Sequence, residues 1–261
     1  METQILSGTP EILFAGGCHV SGFPVGLEHS FSHVALHCLS LQDAVSPVVL
    51  DYVILRSGPR VLAECRERKV ELLVLQLGHY ETMLSFRKIF HRNRSNGSTV
   101  AEHIRYVPEP DKIYRPTLQS IMMSSCRFAL AGILAGLGQN KGLMSEATMS
   151  ASLDSILTSL EPLALGKVLV ISPFSCPDPL TRARRRVVAR IFEREAEKHG
   201  CVFIDAFGML ESFGRGKAFL SNFADQYHLS RLGHERVGLL VGKHLKCAVE
   251  EIESLSAVYQ L

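Results

Sequence analysis

Cys18 is the first residue of the chain with an evident chemical use. It follows Gly16 and Gly17, which end the apolar run of residues 11–15. A strand that runs into glycines leaves the next side chain exposed to a substrate, and the glycines allow the substrate to approach the backbone closely. A thiol in this position is a candidate nucleophile, because a small fraction of an ordinary cysteine is already thiolate near neutral pH.

Asp225 and His228 form a second candidate pair, with two residues between them. A carboxylate beside an imidazole fixes its tautomer and stabilises the imidazolium, and the imidazole can then exchange protons with a nucleophile and a leaving group. No packing requirement explains this pair. We therefore predict that Cys18, His228 and Asp225 act as nucleophile, general base and orienting acid.

Apolar runs separated by helical patterns would position these residues. The runs cover residues 11–15, 48–55, 71–77, 167–171 and 201–204, and helical spacing occurs at 60–69, 180–199 and 233–252. Nearly continuous apolar strands are typical of parallel sheets covered on both faces. The sequence therefore predicts an α/β fold: a doubly wound parallel sheet of about five strands flanked by helices, as in a flavodoxin-like three-layer sandwich. Its ligands should bind at the carboxyl ends of the strands.

Residues 82–162 interrupt this alternation and are longer than a single crossover helix requires. The segment 117–160 predicts two or three helices, broken near 136–142. We interpret 82–162 as an insertion into a single domain of residues 1–261. It forms a lid over the site, an oligomer contact or a passive surface excursion.

Two segments resemble the first and last blocks of the SGNH (GDSL-type) hydrolases. Residues 12–22 resemble the strand that runs into Gly-Asp-Ser, with Gly17 at the Asp position and Cys18 at the position of the nucleophilic Ser. Residues 225–237 resemble the Asp-x-x-His block and the helix that follows it. The resemblance implies the same fold and the same catalytic roles for Cys18, His228 and Asp225.

Two further segments resemble the blocks that form the oxyanion hole of this family. Residues 56–59 match the second block with Gly58 at the glycine position, and residues 75–81 match the third block, Gly-x-Asn-Asp, with Tyr80 at the Asn position. The resemblance implies oxyanion donors at the Cys18 and Gly58 backbone N–H groups and, in place of the amide, at Tyr80. His19, His79 and Glu81 flank these motifs and are candidate substrate-binding residues.

The resemblance implies an acyl hydrolase or acyltransferase that acts on an ester or thioester of a small molecule or glycan, with no cofactor and no metal. A cysteine nucleophile would form an acyl-cysteine thioester, so transfer to an amine, thiol or alcohol competes with hydrolysis. Replacing the Asn by Tyr80 removes an amide donor, and loss of one oxyanion donor typically lowers the rate by about 10²–10³. The alternative is a non-catalytic binding or assembly protein of the same fold with a degenerate site.

Other titratable clusters have simpler interpretations. His29, His33 and His37 recur every four residues, a spacing that suits a metal but also an ordinary polar helix face, which we favour. A metal site of Cys18, His19, His79 and His228 is disfavoured, because neighbouring residues of a strand point to opposite faces. A basic cluster is interpreted as a solvated helix face rather than an anion site; it comprises Arg182, Arg184, Arg185, Arg186 and Arg190.

Composition gives no support for a nucleic-acid or membrane partner. The net charge is only +2, and no apolar stretch approaches the length of a membrane span. The seven cysteines contain no Cys-x-x-Cys pair, and the N-terminus does not have the pattern of a signal peptide. We therefore expect a reduced, cytoplasmic protein. The sequence does not indicate its oligomeric state.

Overall fold

Five parallel strands form the centre of the molecule. The computed structural model describes residues 11–39, 47–51, 53–82, 107–111, 113–136, 144–163 and 165–258. The strands are β1 (Ile12–Gly16), β2 (Val48–Leu50), β3 (Leu72–Gln76), β4 (Lys167–Ile171) and β5 (Val202–Ile204). They are ordered β2-β1-β3-β4-β5, and every neighbouring pair is parallel. The predicted fold class is confirmed.

Helices cover both faces of the sheet. They are α1 (Phe31–His37), α2 (Gly58–Arg68), α3 (His79–Thr82), α4 (Leu118–Gly136), α5 (Glu146–Leu160), α6 (Pro179–Lys198), α7 (Ala206–Glu211), α8 (Lys217–Leu220) and α9 (Arg231–Val258). Side chains alternate along the strands, as the two-residue period of a strand requires. In β1, Ile12 and Phe14 pack in one core with α1 and α9, whereas Leu13 and Ala15 pack in the other with α2, α5 and α6.

The second strand is shorter than the sequence predicted. The apolar run 48–55 continues past Leu50, but β2 ends there and Leu55–Ser57 forms a 3₁₀ turn. Val53 and Leu55 are nonetheless buried, and the Val53 N–H donates to the Gly16 carbonyl oxygen at 2.8 Å. The apolar pattern here comes from a buried loop, and hydrophobicity alone cannot distinguish a buried loop from a buried strand.

The segment 82–162 contains two described helices, α4 and α5. Helix α5 buries Met149, Leu153, Ile156, Leu157 and Leu160 in the core shared with α2 and α6. It is therefore the helix that crosses from β3 to β4, and any addition to the basic fold within 82–162 ends before it. Much of the polar stretch before α4 lies outside the described residues, so the interpretation of 82–162 as a lid or an oligomer contact stays a prediction.

No helix within the described ranges combines the length and the apolarity needed to cross a membrane.

Candidate active site

Cys18 lies at the carboxyl end of β1, in a tight turn. Gly16 must be glycine, because a Cβ atom there would lie 2.5 Å from the Gln76 carbonyl oxygen of β3. After the turn, the Val20 N–H donates to the Gly17 carbonyl and the Phe23 N–H to the Cys18 carbonyl. Parallel strands bring their carboxyl ends to one edge of the sheet, so this turn lies beside the end of β3.

His228 and Asp225 lie in the loop that leads into α9. Asp225 Oδ1 accepts hydrogen bonds from the backbone N–H groups of Tyr227 and His228, both at 2.7 Å. Its other oxygen, Oδ2, is 2.8 Å from His228 Nδ1. This arrangement places the proton of the neutral ring on Nδ1, and leaves Nε2 to interact with a third group.

That third group is the thiol of Cys18, which is within hydrogen-bonding reach of His228. Burial alone would lower the pKa of His228, but the hydrogen bonds to Asp225 and to Cys18 outweigh it and raise this pKa to about 9. Burial would raise the pKa of Asp225, and its hydrogen bonds, first the one to His228, lower it instead. At neutral pH the imidazolium is therefore the favoured form of His228, held between a carboxylate and a thiol.

Tyr80 takes a position that the sequence did not predict. The Cys18 N–H, expected to face an oxyanion, donates to the Tyr80 hydroxyl at 3.1 Å. A Cβ atom at residue 17 would lie 3.2 Å from Tyr80 Cε2. The ring thus packs against Gly17, which stands where the SGNH motif that residues 12–22 resemble has an aspartate. The two departures, Gly17 and Tyr80, are neighbours in space and fit one another.

Gly58 is the first residue of α2, directly after the turn Leu55–Ser57. Glu81 fixes this turn, because its Oε1 accepts a hydrogen bond from the Leu55 N–H at 2.6 Å. A Cβ atom at Gly58 would lie 2.9 Å from Ile156 Cγ1, so one side of residue 58 faces α5. Glu81 therefore has a positioning contact, while its predicted contact with substrate and the oxyanion role of Gly58 stay predictions.

His19 and His79 are buried beside the candidate triad. The centroid of the His19 ring lies 4.9 Å from that of His79 and 5.6 Å from that of His228. Burial, together with the neighbouring imidazoles, holds the pKa of His19 well below its ordinary value, so the ring is neutral. Neither of its ring nitrogens has a hydrogen-bond partner within the described part of the protein.

His79, by contrast, has partners in the protein. Its Nε2 accepts from the Phe174 N–H at 3.0 Å, and its Nδ1 contacts the Gln76 side-chain amide. Burial keeps its pKa well below the ordinary value, so it too is neutral. The structure thus gives His79 a role in holding the loops after β3 and β4, and its contact with substrate stays a prediction.

His234, in the first turn of α9, completes this group, and sequence reasoning gave it no role. Its ring centroid is 5.9 Å from that of His19, and its Nδ1 accepts from the Phe31 N–H at 3.2 Å. Its burial lowers its pKa to about 3. The spacing of six residues from His228 gave no signal, because this contact depends on how α1 packs on α9.

These histidines do not form a metal site. Across the ranges that the structure describes, no three His, Cys, Asp or Glu side chains are arranged to hold a metal ion. The ring nitrogens of His79 and His234 are directed at groups of the protein itself, as described above. In the more remote helix α1, His33 and His37 lie side by side, with ring centroids 4.8 Å apart.

The basic cluster on α6 is not uniformly solvated, contrary to expectation. Arg185 is fully buried, and its guanidinium donates to the Phe174 carbonyl oxygen and to Thr82 Oγ1. These bonds join the loop after β4 to α3. The prediction of a solvated face is wrong for Arg185 because charge alone does not reveal that an arginine can be buried against backbone carbonyls.

Two cavities lie near the candidate triad, and one of them reaches Asp225. One of about 910 Å³ is lined by Asp225, Gln226 and Tyr227 on one side and by Tyr114 and Ser120 on the other. The second, of about 390 Å³, shares Tyr114, Ser120 and Gln226 with the first and extends beneath α4. Sequence reasoning did not find them, because their walls come from segments far apart in the chain.

Comparisons with known proteins agree on the fold. No protein-family model and no curated protein matches the sequence. Among solved structures, an α/β hydrolase (LAE5) from the metagenome of Lake Arreo has a TM-score of 0.59 at 12% identity, covering 94% of this chain and 99% of its own. The acetylxylan esterase Axe2 of Geobacillus stearothermophilus has a TM-score of 0.58 at 13% identity, covering 91% and 94%. A lipase/acylhydrolase of Enterococcus faecalis has a TM-score of 0.54 at 13% identity, covering 91% and 96%.

Proposed function

We propose that this chain is a cysteine-dependent acyl hydrolase or acyltransferase of the SGNH type, acting on an ester or thioester through an acyl-Cys18 intermediate. One observation carries the proposal: the His228 ring contacts both the Asp225 carboxylate and the Cys18 thiol. Such an arrangement has the parts of a nucleophile–base–acid triad. Its three members come from the two ends of the chain, so their meeting is a property of the fold.

The activities named for similar structures support the substrate class. They include a lipase/acylhydrolase and an acetylxylan esterase. Catalytic mutants of the latter replace a serine, a histidine or an aspartate by alanine, and the aspartate precedes the histidine by three positions. Asp225 precedes His228 by the same interval. We take the substrate to be a small-molecule or glycan acyl ester and, since a reactive thiol must stay reduced, we place the protein in the cytoplasm.

The acylation step begins from a thiolate–imidazolium pair. The Cys18 sulfur attacks the carbonyl carbon, an S–C bond forms, and the bond from that carbon to the alkoxy oxygen breaks. His228 gives its proton to the departing alkoxide, which leaves as the alcohol. The products are an acyl-Cys18 thioester, a free alcohol and a neutral imidazole.

Acylation prepares His228 for the second step. Part of what raises its pKa is the hydrogen bond and the charge of Cys18, and thioester formation removes both. The lower pKa favours the neutral ring, which is the form that can accept the proton of water or of an acceptor alcohol. Attack by that oxygen breaks the C–S bond, releases the acid or the new ester, and restores the thiolate beside the imidazolium.

A second candidate, a non-catalytic binding or assembly protein, is favoured by one contact. The Tyr80 hydroxyl accepts the hydrogen bond of the Cys18 N–H, which an oxyanion would otherwise accept. If that contact persists when a ligand binds, the site lacks its first oxyanion donor and retains only the ability to bind.

Mass spectrometry of the intact protein after exposure to p-nitrophenyl acetate tests the proposal. We expect one acetyl adduct, located on Cys18 and removed again by hydrolysis or by an added alcohol. Cys18→Ala should abolish the adduct. Cys126→Ala, which removes an exposed thiol elsewhere, should retain it. Acetylation that is spread over the exposed thiols, and that occurs to the same extent in Cys18→Ala as in wild type, would overturn the proposal. The non-catalytic binding protein would then be the remaining candidate.

A further inference from the structure

Helix α4 presents its apolar side chains outwards. Its inner side is polar: the Ser124 hydroxyl contacts Asp178, and the Arg127 guanidinium donates to the Tyr227 hydroxyl of the catalytic loop. Large apolar side chains remain exposed on the helix, namely Leu118, Ile121, Met122, Met123, Phe128 and Ile133. A helix that buries polar groups and exposes apolar ones is the reverse of an ordinary surface helix and marks a binding surface.

The cavity of about 390 Å³ lies between this helix and the body of the protein. Its apolar lining includes Tyr114, Pro116, Leu180 and Leu220, and two of the exposed side chains of α4, Ile121 and Phe128, line its solvent-open side. The carboxylate on its border, Asp178, is already satisfied, because Oδ2 accepts from the Thr181 N–H at 2.9 Å and Oδ1 from Ser124. The volume is at the lower end of the roughly 300–1,000 Å³ of small-molecule sites.

This cavity lies near the loop that carries Asp225 and His228 of the candidate triad. Gln226 lines both cavities, and the larger one reaches Asp225. Asp225 is bonded to His228, which in turn contacts the Cys18 thiol. Cys18 and His228 line neither of these cavities, so a short acyl group at the thiol stays outside the cavity under α4, and only a long chain that extends past Asp225 and Gln226 can enter it.

We propose that the cavity beneath α4 binds a linear apolar chain of the ester substrate. The inference rests on the proposed function and adds a substrate class to it. An unbranched hydrocarbon matches the apolar lining, needs no charged partner and gains free energy with each methylene that leaves water. The hydrocarbon chain can belong to the acyl group or to the alcohol of the ester, that is, to either side of the scissile bond.

The test is the dependence of kcat/KM on chain length in two series of esters. One series is p-nitrophenyl acetate, butyrate, octanoate and decanoate; the other is the acetates of ethanol, butanol and octanol. Burial of a methylene corresponds to about a fourfold gain in kcat/KM. We expect a gain of at least about tenfold from butyrate to octanoate or, if the alcohol carries the chain, from butyl to octyl acetate.

Ser125→Trp supplies the structural arm of the test. Ser125 lines the cavity, whereas Cys18, His228 and Asp225 do not, so a tryptophan at position 125 is expected to reduce the cavity and leave the triad in place. The variant should lose the increase in kcat/KM with ester chain length and keep its activity on acetate esters. Met122→Trp is the matched control, since Met122 is exposed on the same helix and does not line the cavity.

The outcomes separate this inference from the proposed function. A wild-type protein that turns over acetates with no preference for longer chains overturns the inference and leaves the function standing. The same holds if Ser125→Trp lowers activity on acetate and octanoate equally. No turnover of any ester, together with no adduct on Cys18, overturns both.

Discussion

At the scale of single residues, we propose that Tyr80 serves as an oxyanion donor of the site. Its hydroxyl accepts the Cys18 N–H, and a donor that is itself an acceptor becomes more polarised. In the substrate complex we expect this hydroxyl to donate to the carbonyl oxygen, so that the phenol acts as the donor that the amide supplies in the SGNH motif that residues 75–81 resemble. The ring reaches this position because residue 17 has no side chain.

Tyr80→Phe tests this role. The variant keeps the ring that packs on Gly17 and removes the hydroxyl, so we expect kcat for ester hydrolysis to fall by about 10²–10³ while KM changes little. Steady-state kinetics with p-nitrophenyl acetate measures both constants. If the hydroxyl instead blocks the Cys18 N–H, the variant is more active than wild type, and the proposed donor role is wrong.

The proximity of individual site residues was predictable only where a motif carried them, and their roles stay predictions. Cys18, Asp225 and His228 were predicted from a glycine turn and a three-residue interval, and the structure brings them together. The hydroxyl contact of Tyr80, the buried ring of His234 and the burial of Arg185 could not be predicted, since each depends on which loops meet after the sheet forms. His19 was noticed only as a neighbour of Cys18, and no sequence pattern indicated that its ring would be enclosed by other imidazoles.

At the scale of elements, the contact between α1 and α9 aligns the two loops of the site. Helix α1 follows the Cys18 turn, and α9 follows the His228 loop. Glycines of α9 allow the close approach: a Cβ atom at Gly238 would lie 2.4 Å from Val34 Cβ, and one at Gly242 would lie 2.6 Å from Cys38 Sγ. Such distances leave no room for a methyl group, so these helices approach more closely than larger side chains allow.

Gly238→Ala should therefore destabilise the protein, although alanine favours a helix over glycine by about 1 kcal/mol. We expect overpacking against Val34 to exceed that gain and lower the free energy of unfolding by about 1–3 kcal/mol. Urea unfolding followed by circular dichroism measures the change. Gly216→Ala is the control, since a Cβ atom there meets nothing within 4 Å; equal stability of the two variants would refute the close packing.

Element boundaries were predictable to different degrees for a physical reason. β1, β3 and β4 are buried on both faces and bounded by turn residues, so their apolar runs indicated them well. The run 48–55 overextended β2, because a buried loop and a buried strand have the same hydrophobic pattern. Helix α5 was assigned to an insertion because its place in the core depends on contacts with α2 and α6, which the sequence does not show.

At the scale of the whole molecule, the fold persists where sequence identity has nearly vanished. Structures at 12–13% identity cover more than nine tenths of the chain. Alternation of apolar runs and helical patterns is enough to specify such an architecture, and many sequences satisfy it. The chemistry is not transferred with the fold. It depends on whether the loops at the carboxyl edge of the sheet bring a reactive thiol and its base together.

The pairing of a reactive Cys18 thiol with His228 is tested most directly by the rate at which iodoacetamide alkylates Cys18. Peptide mass spectrometry measures this rate between pH 6 and pH 9. Because hydrogen bonds to Asp225 and Cys18 raise the pKa of His228 to about 9, its imidazolium predominates at pH 6 and declines towards pH 9, and an imidazolium favours a neighbouring thiolate. We predict that Cys18, though only 6% exposed, is labelled at pH 6 faster than the exposed Cys126. His228→Ala should remove the advantage. Labelling of Cys18 no faster than that of Cys126 at pH 6, or unchanged in His228→Ala, would contradict the account.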